Sequence, residues 1–287
     1  MLKIPESSSF YPYARAPVMG AAFGLLLVLG SIVASAHGLW AFFSLEGLLI
    51  VIGGVMAVAF MSFQATDVHK ALDAISNMLK EPSRTLEDLH HDTMNIIKWA
   101  RLVKEKGMRA LEASIGKNGI DDPFVLYGLN MVVSEYTPDE VRAMMETAAD
   151  ACYERDSIPV DVLESMASHA PAFGMVGTLV GMVTMLCQLN GDMTGIGSSL
   201  AVAFLSTLYG VVSARMVYVP AASKLRQEVE KTRFRNQLIA EGMGMLVNNK
   251  TPMYIQDRLN SFLRPEAHDY YNIFVKRAAA PLHLRAA

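Results

Sequence analysis

A chain of 287 residues, 52% of them hydrophobic and only 18% charged, is too apolar for an ordinary soluble domain and belongs in the membrane class. The net charge of −3, with no Lys/Arg stripe interleaved with aromatics, gives nucleic acid no footing. Two cysteines, Cys152 and Cys187, have neither CxxC spacing nor an even framework, which argues against disulfides and a zinc site.

In chain order, residues 1–16 carry two separated basic residues, Lys3 and Arg15, and lead into an apolar span longer than a signal-peptide core. A retained first membrane helix is expected there rather than a cleaved leader. Four segments reach the roughly 20 apolar residues that a bilayer core demands, namely 17–36, 43–63, 168–189 and 196–219. The short joins 37–42 and 190–195 hold no Lys or Arg, whereas 64–166 and 221–287 hold eleven each. Positive charge stays on the cytoplasmic side, so both termini and the long middle segment are expected there. The expected fold is an all-α membrane protein with four parts: 1–63 with the first two spans, a helical cytoplasmic domain at 64–167, a second pair of spans at 168–220, and a helical cytoplasmic tail at 221–287. Arg215 disagrees with the charge pattern. It lies about a turn before Pro220 and either snorkels to the interface or pairs with an acid of a neighbouring chain. Glu46, at the outer start of the second span, is an interfacial residue or a pore-mouth acid.

The middle segment reads as helical with short breaks. Residues 67–80 are amphipathic, with Val68, Ala71, Leu72, Ile75 and Leu79 on one face, and Glu81–Pro82 ends them. A second stretch, 85–115, is read as helical and is closed by the cluster 116–123. Thr137-Pro138-Asp139-Glu140 is a helix start in which Thr caps, Pro takes the first turn and Glu bonds back to the cap. That helix is expected to run to about Arg155, break near Pro159 and resume at Asp161. Residues 221–241 continue the fourth span as a charged helix.

The third and fourth spans carry stripes of small residues. Ala170, Gly174, Thr178 and Met182 recur every fourth residue with Gly177 and Gly181 beside them; Ser199, Ala203, Ser206, Gly210 and Ser213 alternate steps of four and three, with Thr207 adjacent. No Asp, Glu, Lys or Arg falls between about 169 and 185, nor between 195 and 214. Small residues in membrane helices allow close packing, which also accounts for Gly20/Gly24 and Gly53/Gly54. Hydroxyls there bond back to their own backbone or line a passage. Pro171 and Pro220 are either boundaries or a paired hinge. His90 and His91 point about 100° apart on a helix and cannot form the i, i+4 zinc pair. No GxGxxG, GxxxxGK[ST], GxSxG or HExxH occurs, so an enzyme is not expected.

Residues 171–182 (PAFGMVGTLVGM) resemble the third-helix signature of the MotA/PomA flagellar stator subunits, within the wider MotA/TolQ/ExbB group. Residues 201–210 (AVAFLSTLYG) with Pro220 resemble the fourth helix, residues 46–54 the start of the second, and Glu241-Gly242-Met243 part of the tail. The resemblance implies a bacterial inner-membrane homo-pentamer around a single-span subunit of the MotB/PomB type that supplies the ion-binding aspartate. Ion flow, with the proton favoured and sodium the alternative, then turns a rotor switch-complex protein of the FliG type. It makes Thr178, Thr207, Ser206 and Gly174 lining residues of the ion pathway, Pro171 and Pro220 its paired prolines, and Lys104 and Glu112, with Arg101 and Arg109 nearby, the residues that meet the rotor. No cofactor is implied. The bottom-up reading points the same way, because an ion relay in a bilayer needs a carboxylate and the spans offer none at mid-depth. A TolQ/ExbB-like energiser of envelope processes and a non-conducting membrane scaffold remain the alternatives.

Overall fold

The computed structural model describes residues 30, 42–78, 86–118, 122–134, 136–188 and 195–262, and the regular elements among them are helices. The expected first span, Gly20/Gly24, Lys80, the stop at Glu81–Pro82 and the tail after Phe262 lie outside the described residues, Gly30 excepted. In order, the helices are α1 (Leu45–Ser62), α2 (Ala65–Asn77), α3 (Leu86–Lys106), α4 (Met108–Asn118), α5 (Pro123–Val133), α6 (Pro138–Gln188), α7 (Ile196–Val247) and α8 (Pro252–Asn260). Three of them, α1, α6 and α7, are long and apolar enough to cross a membrane, and they fall on the second, third and fourth expected spans.

Local chemistry sets several of the helix ends. Ser44 caps α1 by accepting the Gly47 N–H at 3.2 Å. At α6 the Thr137 hydroxyl accepts the Glu140 N–H at 3.4 Å while the Glu140 carboxylate accepts the Thr137 N–H at 2.9 Å, the reciprocal pair expected from the sequence. Asp122 caps α5 through the N–H groups of Phe124 (2.9 Å) and Val125 (3.3 Å), with Pro123 in the first turn. Just past the end of α7 Asn249 adopts φ 52°, and the Lys250 N–H returns to the Met245 carbonyl at 3.3 Å.

Two expectations need correction, and one open alternative is decided. Residues 85–115 are two helices, not one. Gly107 adopts φ +80°, a left-handed conformation that any side chain would strain, and it breaks the run between Lys106 and Met108. The break near Pro159 does not occur, because α6 runs unbroken through both Pro159 and Pro171. Each proline removes one hydrogen bond from a helix of 51 residues, and the turns on either side hold it. Pro220 likewise lies inside α7, not at a boundary. The turn before it, Ala214–Tyr218, is wound as a π-helix, and the carbonyl a proline ring crowds, that of Met216, falls in this wider turn. Helix α1 has a similar π turn at Leu49–Gly53.

The chain divides into two compact units, Met1–Pro82 with Asp156–Glu228, and Ser83–Arg155 with Val229–Ala287. The second has a continuous apolar core in which Leu111 (α4), Leu129 (α5), Met145 (α6), Leu238 and Met243 (α7) and Ile255 (α8) are fully buried. Burial of such a side chain stabilises by about 1.5–3 kcal/mol, so this core is the main support of α3–α5 and α8. The first unit is built differently. Its seam is made of glycine, alanine and serine, while Met175, Leu179, Val183, Leu186 and Phe204 are exposed on its helices. That inversion is what a lipid-facing surface requires.

Candidate functional site

Helices α6 and α7 meet antiparallel along the two stripes. A Cβ placed on Gly181 would lie 2.7 Å from the Ser199 carbonyl oxygen, one on Gly174 3.0 Å from that of Ser206, and one on Gly210 2.5 Å from that of Ala170. The Gly181 and Gly210 distances are closer than a side chain tolerates and that of Gly174 is tight, so glycine is what allows the backbones to meet. Gly177 abuts the Ser206 side chain, Gly47 of α1 stands on the other side of Ser206, and Gly54 is covered by the Phe173 ring. Gly53 has open space around it, so the packing expected of the Gly53/Gly54 pair belongs to Gly54 alone.

Within this seam Thr178 Oγ1 and Thr207 Oγ1 stand 2.6 Å apart. Thr178 Oγ1 also reaches the Gly174 carbonyl at 3.1 Å and, across the seam, that of Ala203 at 3.2 Å; Thr207 Oγ1 reaches the Gly174 carbonyl at 3.3 Å. Two hydroxyls bring two hydrogens and four lone pairs. One hydrogen joins the pair and the other goes to a carbonyl, so lone pairs remain for a cation or a proton donor. Both threonines are half-buried, which leaves them open to an approaching group. Ser206 and Gly174 differ. Both are buried; the Ser206 hydroxyl bonds back to the Val202 carbonyl at 2.6 Å, and Gly174 fits against Thr207. These two set the separation of the walls, and the threonines provide the polar surface. Pro171 follows Ala170, whose carbonyl faces Gly210, so it stands at one end of the same seam.

Two further ties hold these helices, one from the residue beside Gly210 and one at the Gln188 end. Tyr209 Oη donates to the Phe42 carbonyl at 2.6 Å and accepts the Ser44 N–H at 2.9 Å, joining α7 to the start of α1. Ser199 Oγ donates to Gln188 Oε1 at 2.9 Å. Glu46 is exposed in the first turn of α1, where the helix dipole favours an acid.

Lys104 and Arg101 are exposed on α3, and Glu112 and Arg109 are exposed on α4. The expectation that all four share one helix is corrected by the Gly107 turn, since positions counted along a single helix no longer fix their relative directions. Lys104 borders a shallow cavity of about 230 Å³ lined by Ala100, Val103, Leu246, Asn249 and Lys250.

Sequence reasoning missed two charged clusters in the second unit. Arg235 is buried and clamps both Asp92 and Asp122, with Nη1 at 2.5 Å from Asp122 Oδ2 and Nη2 at 3.0 Å from Asp92 Oδ1. Burial pushes the Asp122 carboxyl up, but the Arg235 hydrogen bond and charge, with the Val125 and Phe124 N–H groups, outweigh it and hold the carboxyl below its ordinary value. Burial likewise opposes the charge on Arg235, and the two carboxylates more than restore it. Glu241 accepts from Arg142 at 3.0 Å and from Arg258 at 2.9 Å. The partners of Arg235 lie 143 and 113 residues away, so no local pattern announces them.

Residues 116–238 match the family model described as the MotA/TolQ/ExbB proton channel family. The chain is 32% identical over 239 residues to the uncharacterized protein YtxD of Bacillus subtilis, covering 83% of this chain and 86% of that one. It is 30% identical to Motility protein A of Aquifex aeolicus over 83% of this chain and 92% of that one, and 30% identical to chemotaxis protein PomA of Vibrio alginolyticus over 77% and 85%. Among solved structures, that of C. jejuni MotAB shares the fold with a TM-score of 0.75 at 19% identity, over 88% of this chain and 96% of that one.

Proposed function

The chain belongs to the MotA/TolQ/ExbB proton channel family, and from that premise we propose that it is a flagellar motor stator subunit. With a MotB/PomB-type partner it forms an ion channel that couples ion flow across the membrane to rotation of the flagellar rotor. The observation that carries the reading at residue level is the Thr178–Thr207 pair, 2.6 Å apart between two walls without a charged side chain. A channel for ions needs a site that takes and releases charge, and hydroxyls alone do not. The acid comes from the partner's span, and its aspartate alternates between ion-bound and ion-free states against the lone pairs of the two threonines.

The chain assembles as a homo-pentamer around the partner in the bacterial inner membrane, with both termini and residues 64–167 in the cytoplasm. Its ion is the proton in preference to sodium. Lys104 and Glu112, with Arg101 and Arg109 beside them, meet a FliG-type rotor protein, and their exposure on either side of Gly107 supports that use. Pro171 and Pro220 each lie inside a continuous helix and act as points where a wall flexes, Pro171 beside the Gly210 contact and Pro220 further along α7. PomA-like and Motility protein A relatives favour the flagellar reading over an envelope energiser.

The test is ion flux through the complex reconstituted with its partner. Thr178→Val removes the hydroxyl and keeps the volume, so flux or ion dependence should change while co-purification with the partner is retained. Unaltered flux and unaltered proton dependence would remove the threonine pair from the mechanism.

A further inference from the structure

We infer that Arg215 binds the phosphate of an anionic lipid, in the leaflet at the charged end of the fourth span. The inference uses the membrane placement and is independent of rotation. Four Lys or Arg side chains are described in the unit formed by Met1–Pro82 and Asp156–Glu228, and three are engaged: Lys70 with Asp67 (3.2 Å), Lys224 with the Met78 carbonyl (2.6 Å) and Arg226 with Glu164 (2.8 Å). Arg215 alone has no acceptor among the described residues, and it is exposed.

Its surroundings say what kind of acceptor fits. Within the π-wound turn Ala214 and Tyr218 are buried, and Arg215 points the other way. It falls in line with the exposed apolar residues Leu200, Phe204, Val211 and Val219, so it lies in a stripe suited to hydrocarbon with one apolar position beyond it. Along its own helix the next charged residue is Lys224, nine positions and roughly 13 Å further on. Across the seam the depth reads differently. The pairing of Gly210 with the Ala170 carbonyl, continued five residues, puts Arg215 level with Ser165, past Ser168 and His169, where α6 is already polar. A guanidinium at that level reaches the boundary of the hydrocarbon but lacks a protein partner. Headgroup phosphates lie there, and the planar fork of arginine matches two phosphate oxygens at once.

The experiment uses the full chain co-purified with its single-span partner in detergent. Dioleoyl phosphatidylglycerol, dioleoyl phosphatidylcholine or inorganic phosphate is added, and bound lipid is counted by native mass spectrometry. R215Q should retain phosphatidylglycerol roughly fivefold more weakly than the native protein, R215K should fall between them, and phosphatidylcholine should show a smaller difference. Inorganic phosphate should not displace the lipid; displacement would mark a soluble-anion site and overturn the proposal. Equal retention by R215Q and the native protein also overturns it. So does dissociation of R215Q in lipid-free detergent with normal lipid retention by the surviving complex, because Arg215 then pairs with a carboxylate of a neighbouring chain. Should R215Q fail to fold, R215K carries the test, since full retention by a lysine removes the argument from the fork. Failure of the channel reading would appear in the Thr178→Val flux and leave these counts untouched.

Discussion

A buried charge is the residue-scale feature with the largest consequence for the second unit. Arg235 sits between two carboxylates with only 10% of its side chain exposed, so its removal leaves Asp92 and Asp122 facing each other without a counter-charge. Breaking such a cluster typically costs about 3–5 kcal/mol. Arg235→Met is therefore expected to lower the thermal midpoint of the detergent-solubilised protein by a margin that surface substitutions such as Lys98→Met do not approach. Asp122 adds a pH dependence. Its folded-state pKa is depressed, so its contribution is complete above the ordinary carboxylate value and is lost as pH falls through the folded value. Melting followed from about pH 5 downward should show that loss in the native protein, with the decline setting in below about pH 4. Asp122→Asn keeps a good cap for α5 and discards the charge, so its stability should start lower and change less over the same range.

At the scale of elements, two glycines make opposite demands. Gly107 has free space around it and a φ of +80°, so Gly107→Ala is a test of backbone strain alone, expected to cost about 1 kcal/mol. Gly210 has ordinary helical geometry and no room, because a Cβ there would meet the Ala170 carbonyl at 2.5 Å. Gly210→Ala must therefore push α7 from α6 and move Thr207 from Thr178. Ion flux should fall in Gly210→Ala while Gly107→Ala leaves flux per assembled complex unchanged; equal effects on flux would mean that the seam does not set the threonine separation. The two π turns each give a long apolar helix one wide turn without a break in its backbone bonding.

For the whole molecule, the two native cysteines report topology without any engineered probe. Cys152 lies in the first part of α6 and Cys187 at its far end, exposed in the protomer. If α6 crosses the membrane with residues 64–167 in the cytoplasm, a membrane-impermeant maleimide applied to spheroplasts should label Cys187 in a Cys152→Ser background. Cys152 in a Cys187→Ser background should stay unlabelled until the membrane is opened. The reverse pattern would invert the proposed orientation, and with it the side on which Lys104 and Glu112 operate.

Much of this protein was legible in one dimension because membrane spans, caps and small-residue stripes are local. A run of twenty apolar residues, a Thr-Pro-Asp-Glu start or a glycine every fourth position carries its own physical reason, and α1, α6 and α7 with the capping pair at Thr137 and Glu140 follow from such runs. The stripes also announced that the third and fourth spans each have one small-residue face. Prolines misled at Pro159 because a long helix with support on both sides of the residue outlasts one missing bond, and Gly107 was passed over because nothing in a sequence states the sign of φ. Tertiary structure alone decided which hydroxyls are half-buried and which are fully packed, since Thr178 and Ser206 look equivalent until two backbones are brought together. The Arg235 cluster was decided there too: electrostatic pairing depends on distance in space, and over a hundred residues of chain separate that guanidinium from each of its carboxylates.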